Sequence, residues 1–168
     1  VPVVLNYPDK NNATMSHYSE CSYLDSKMSD FELVLDNANV VYDPTSHIIT
    51  VTYQGVLDGN VTADVYHWLE ELYKTISVNE VKGQIFDFRQ VTRFDDSNLT
   101  VARRASNRMN MIQDTSQFPV ALIVANPEQE EVLRGPMRIP EGHQRKRIVR
   151  SQQEALDFIH KWVKPTTL

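Results

Sequence analysis

Ile85-Phe86-Asp87-Phe88-Arg89-Gln90-Val91-Thr92-Arg93-Phe94-Asp95-Asp96-Ser97-Asn98-Leu99 is the stretch on which the reading of this chain turns. Its first four residues, introduced by Gly83, combine aromatic and β-branched side chains in a short run, the composition of a strand. From about Ser97, the residues Leu99, Ala102, Ala105, Met109 and Ile112 recur at three- and four-residue spacing, which predicts a helix. Strand, turn and helix therefore follow one another directly.

The same alternation extends in both directions. Downstream, Val120-Ala121-Leu122-Ile123-Val124 is nearly continuous in aliphatic residues, as expected of a strand covered on both faces. Asn126-Pro127-Glu128-Gln129 then reads as a helix start, since Asn accepts from free backbone N–H groups, Pro suits the first helical position and Gln completes a capping box. Gly135-Pro136 ends that helix. Arg147-Ile148-Val149 forms one more short strand, and Ser151-Gln152-Gln153-Glu154 is a second capping box. It opens a helix with Ala155, Leu156, Ile159, Trp162 and Val163 as its apolar stripe. Upstream, Val61, Val65, Trp68, Leu69, Leu72 and Ile76 share one helical face. Before them, Val40-Val41-Tyr42, the turn residues Asp43-Pro44-Thr45-Ser46 and the run His47 to Tyr53 form a hairpin, with Phe31, Leu33 and Leu35 alternating just ahead of it.

Strands separated by helices need crossover connections, so the order predicts an α/β fold: a mixed, mainly parallel sheet of about five strands, helices packed on it and a hairpin at its N-terminal end. Residues 1–30, rich in Asn, Ser, Asp and Tyr without sustained period, read as a loose extension. Residues 31–168 read as a single domain, of a size that buries roughly two-thirds of its unfolded surface.

Composition narrows the functional classes. No apolar run reaches the ~18 residues of a membrane span, so the chain reads as cytoplasmic with no membrane partner. The only cysteine, Cys21, excludes a disulfide or a cysteine metal cluster within one chain. The net charge of −5 hides a polarity: residues 1–100 carry 15 acids and 6 bases, residues 101–168 carry 7 acids and 11 bases. Such polarity steers charged partners, but an acidic total argues against nucleic acid.

The central stretch resembles the signature of STAS domains, the anti-sigma-factor antagonists of the SpoIIAA type. In that family a strand containing an Asp leads through a Val-containing loop to Asp-Ser-Ser-Gly-Leu at a helix start. Here Asp87 falls on the strand Asp, Val91 on the loop Val, Asp95 on the motif Asp and Leu99 on its Leu. Ser97 falls on the serine that family kinases phosphorylate. Asp96 stands where the family commonly has its first Ser, and Asn98 where it has Gly, a replacement that tolerates φ > 0 better than most. The order of elements agrees over about residues 38–163.

The resemblance implies a SpoIIAA-like, non-enzymatic regulatory or scaffolding module. It would bind another protein, a regulator or a kinase, through a loop at residues 92–99, with no cofactor and with a homodimer as one arrangement. Asp95, Asp96, Ser97 and Asn98 are then the switch or partner-binding residues, and Ser97 the phosphorylation site. A phosphate there adds about −1.5 to −2 charge at a helix N-terminus, which favours it, beside Asp95 and Asp96, which oppose it. The plainer expectation is that Asp96 or Ser97 caps the helix.

Other residues support fewer readings. Arg103, Arg104 and Arg108 follow the motif on its helix and are candidate anion contacts. Arg145-Lys146-Arg147 with Arg150 is the densest basic cluster but lacks interleaved aromatics. His17, His47, His67, His143 and His160 show no metal-ligand spacing, and no nucleophile elbow or P-loop is present. Two alternatives stay open: an unrecognised small enzyme using Asp87, Arg89 or a histidine, and a small-molecule or lipid-binding domain built on Phe86, Phe88, Phe94, Met109 and Met111.

Overall fold

The computed structural model describes Met28, Ser29 and residues 31–164. In chain order these form β1 (Met28–Ser29), β2 (Glu32–Val34), β3 (Ala38–Asp43), β4 (Ile48–Leu57), α1 (Gly59–Thr75), β5 (Gly83–Phe94), α2 (Asp96–Ile112), β6 (Val120–Ile123), α3 (Pro127–Arg134), β7 (Lys146–Val149) and α4 (Gln152–Lys161). The strands lie side by side in sequence order. β1 to β4 pair antiparallel, while β4, β5, β6 and β7 pair parallel through helical crossovers. The expected α/β fold with its N-terminal hairpin is therefore present. The short strands β1 and β2 widen the sheet beyond the expected five, because Glu32, Leu33 and Val34 pair with the free edge of β3.

Alternation along the strands divides the core in two. Val40, Ile49, Val51, Phe86 and Leu122 point to the face covered by α1, α2 and α3, through Trp68 and Leu69 on α1, Met109 on α2 and Leu133 on α3. Ile85, Ala121, Ile123 and Val149 point to the other face, where Ala155, Phe158 and Ile159 of α4 cover them. The capping residues act as expected: the Gln129 backbone N–H donates to Asn126 Oδ1 at 2.9 Å, and that of Glu154 to Ser151 Oγ at 3.2 Å. The α4 stripe differs at its end. Phe158 is buried while Val163, beyond the last helical residue, is 82% exposed.

Two boundaries depart from expectation. Among the described residues the sheet begins at Met28, inside the segment read as an extension, the rest of which lies outside the described residues. β5 runs six residues beyond Phe88, through Phe94. Its pairing with β6 ends at Asp87, so β4 is the only strand beside the remainder. That one-sided position accounts for its polar residues Arg89, Gln90, Thr92 and Arg93, which hid the strand.

Burial also sets an alkaline limit. Tyr53 and Tyr73 are 2% and 5% exposed, and desolvation raises both phenol pKa values above the ordinary value near 10. An unfolded chain loses these protons near pH 10, whereas the folded chain holds them. Their contribution is therefore complete below pH 10 and lost as pH rises through the folded values. In a pH titration, part of the phenolate absorbance is expected to appear only in step with loss of the helical circular dichroism signal. Complete phenol ionisation before any unfolding would contradict this burial.

Candidate functional site

The residues expected to form a loop at 92–99 make almost none. Thr92, Arg93 and Phe94 belong to β5, Asp95 is the single linking residue, and α2 begins at Asp96. Asp95, not Asp96 or Ser97, caps the helix: its Oδ1 accepts from the Ser97 backbone N–H at 2.9 Å and from the Ser97 hydroxyl at 2.6 Å. These hydrogen bonds hold the Asp95 carboxyl below its ordinary pKa, so its capping is present above the usual carboxylate range and lost as pH falls through the folded value.

A second helix start meets the first at this point. Asp58 caps α1 by accepting from the backbone N–H groups of Asn60 and Val61 at 2.9 and 3.0 Å. The next donor, Gly59 N–H, reaches across to Ser97 Oγ at 3.0 Å. Glycine eases this approach, since a Cβ at Gly59 would lie 3.0 Å from Val101 Cγ2 and 3.2 Å from both the Ser97 carbonyl oxygen and Oγ, so that these neighbours would have to give by a few tenths of an ångström. Ser97 is thus exposed yet shared between the N-termini of two helices. Asn98 turns inward instead: it is 2% exposed and accepts a hydrogen bond from the Thr62 hydroxyl of α1.

The remaining candidates disperse. Arg108 pairs with Glu70 of α1 at 3.3 Å, Arg104 is exposed, and Arg103 lines a cavity beneath α2. Asp87 and Arg89 pair with each other at 2.6 Å; Asp87 lies on the sheet face opposite Phe86 and Phe88, away from that cavity. Arg147 stacks over Phe158, and Arg150 pairs with Glu130, which dissolves the basic cluster read from sequence. Among the described residues, no group of three or more His, Cys, Asp or Glu is placed to hold a metal, and no helix is long and apolar enough to cross a membrane.

The cavity has a volume of about 370 Å³ and lies between the sheet, α1, α2 and the segment joining α3 to β7. It gathers Phe86, Phe88 and Met109 from the apolar set singled out in the sequence. Phe94 packs on Phe88 at 5.6 Å between ring centroids, and Met111 is 88% exposed. No histidine and no carboxylate lines the cavity. Gln84, Arg138, Arg145 and Lys146 also line it, none of them assigned to a site by sequence reasoning. A signal for Gln84 existed: alternation puts it on the same strand face as Phe86 and Phe88, where a polar residue is conspicuous.

An antiparallel hairpin feeding a parallel sheet, helices on both faces and a strand-to-helix turn at Asp95 define a SpoIIAA-like α/β fold. Solved structures bear this out. The chain is similar to the anti-sigma factor antagonist SpoIIAA in its unphosphorylated form, with 13% identity, a TM-score of 0.50, and coverage of 74% of this chain and 98% of that one. It is also similar to an RsbS variant from Moorella thermoacetica, with 16% identity, a TM-score of 0.52, and coverage of 77% and 92%. No family model matches the sequence. No curated protein matches it either. At these identities the likeness is one of fold.

Proposed function

We propose that this chain is a non-enzymatic regulatory module that binds another protein through the surface around Asp95, Asp96 and Ser97, with phosphorylation of Ser97 switching that contact. The observation that carries the reading is the position of the Ser97 hydroxyl, exposed and held between the first turns of α1 and α2. A phosphate at that oxygen gains from two helix N-termini while Asp58, Asp95 and Asp96 oppose it, so the fold persists as the surface changes charge and shape. Similarity in fold to an anti-sigma factor antagonist described in its unphosphorylated form supports the same reading. Asn98 contributes from inside, tying α2 to Thr62 rather than touching the partner.

Purification from the native host followed by phosphopeptide mapping is expected to find phosphate on Ser97. Ser97→Asp is expected to weaken capture of the partner at least about tenfold, which corresponds to 1.4 kcal/mol, with an unchanged melting profile. Ser97→Ala loses the acceptor for Gly59 N–H and is expected to cost about 1 kcal/mol of stability while retaining capture. Absence of phosphate on Ser97 in every growth condition, with partners indifferent to both variants, would overturn the switch and leave Ser97 as a bridge between helices.

A further inference from the structure

We propose that the cavity beneath α2 binds a small organic anion, a carboxylate carried on an apolar body. This site is separate from Ser97 and does not depend on the reading given to it. The cationic end is built by strand register. Gln84 of β5, Val120 of β6 and Lys146 of β7 are direct neighbours in one row, on the face that carries Phe86 and Leu122 in the next row. Arg145 immediately precedes Lys146, and Arg103 and Arg138 complete four cations around a space with no acidic side chain in its walls.

Among the described residues the cations have no carboxylate at ion-pair distance, and Asp114 attracts Arg145 only from further away. Lys74, Arg89, Arg108, Arg134 and Arg150 each pair with a carboxylate. Among the described residues, Arg103, Arg138, Arg145 and Lys146 form no ion pair. Arg145 uses one guanidinium donor on the Thr115 carbonyl at 2.6 Å. Arg145 and Lys146 are partly buried, and desolvation lowers both pKa values, Lys146 being lowered further by Arg145 beside it. Adjacent, desolvated like charges raise the energy of the empty protein, and an anion between them removes that penalty.

A second observation points the same way. Gln84 is 5% exposed, lines the cavity, and its Nε2 is buried without a hydrogen-bond partner. An unmade buried donor is costly, and a ligand oxygen would satisfy it. The rest of the wall fixes the ligand's other end. Tyr53, Phe86 and Phe88 hold their rings nearly parallel, within 16° of one another and 5.4 to 6.3 Å apart, with Met109 and Leu122 beside them. Free phosphate would fill the cationic end and leave these apolar walls uncovered. The volume of about 370 Å³ suits a small organic molecule. Arg138 stands on the segment joining α3 to β7 with φ +55°, a left-handed conformation that L side chains rarely adopt and that accumulates at ligand clamps.

Titration calorimetry of the full chain with naphthoate, its neutral analogue naphthylmethanol and inorganic phosphate tests the proposal. Naphthoate is expected to bind one to one with a Kd of about 1 mM or tighter, and naphthylmethanol at least about tenfold more weakly. Lys146→Met and Gln84→Leu are each expected to weaken naphthoate at least about tenfold, yet to melt no lower than the parent, because Gln84→Leu removes a buried donor without a partner and Lys146→Met a partly buried, desolvated charge without an ion pair. Arg104→Gln, outside the cavity, should leave the affinity unchanged. No saturable naphthoate binding up to about 5 mM, binding of phosphate but not naphthoate, or a Lys146→Met affinity within about twofold of the parent would each overturn the assignment.

Discussion

Gln129→Leu is expected to lower the free energy of unfolding by about 3 kcal/mol, although it replaces a polar side chain in the interior by an apolar one of similar size. Gln129 is 7% exposed at the start of α3, and its side chain joins three segments. Its Oε1 accepts from Ala125 N–H at 2.8 Å, while Nε2 donates to the carbonyl oxygens of Phe88 at 2.9 Å and Val91 at 3.0 Å. Both carbonyls lie where β5 has run past the end of β6, so no neighbouring strand serves them on that side. Leucine leaves two acceptors and one donor without partners, each worth roughly 1 to 3 kcal/mol when buried, and regains part of the loss by apolar burial. Gln129→Glu is expected to be no better, because its carboxylate faces two carbonyl oxygens. Equilibrium urea unfolding decides the matter; a loss below about 1 kcal/mol for Gln129→Leu would mean that water replaces the amide.

The same residue shows what sequence reasoning reaches. Gln129 is recognisable as a capping-box residue, because caps depend on neighbours three positions away; its bonds to β5, about forty residues earlier, follow only from the fold. Helices and the central strands were legible for the same reason, their periodicity being local. The motif singles out Ser97 but not its bond to Gly59, and Asn98, read as a switch or partner-binding residue, lies four residues before Ala102 on the buried stripe of α2. The cavity was hidden more deeply. Gln84 and Lys146 are 62 positions apart in the numbering, and only the parallel register of β5, β6 and β7 places them in one row. Arg145 and Lys146 looked like members of a solvated basic cluster, and their lack of an ion-paired carboxylate is a property of the packed structure.

Gly83→Ala is expected to cost about 2 kcal/mol, against the usual gain from stiffening the unfolded chain at a glycine. Gly83 opens β5 on the face covered by α4, and a Cβ there would lie 2.6 Å from Ile159 Cγ2 and 2.8 Å from both Cγ1 and Cδ1. Ile159 cannot swing aside cheaply. It is 5% exposed, stiff at χ1 as a β-branched residue, and enclosed with Ile85, Ala121, Ile123 and Val149. Relief therefore requires α4 to lift from the sheet, which opens the packing along Ala155 and Phe158 as well. Ile159→Ala alone is expected to cost about 3 kcal/mol through the cavity it leaves. The double variant places the new methyl group into that space, so its loss should fall short of the sum of the single losses by about 2 kcal/mol in a double-mutant cycle. Additivity within about 0.5 kcal/mol would show that α4 does not dock against the bare backbone of Gly83, and that the two layers meet elsewhere. A coupling of the expected size would instead make this glycine the contact that sets how closely α4 approaches the start of β5, one residue before Gln84 turns to the opposite face and its cavity.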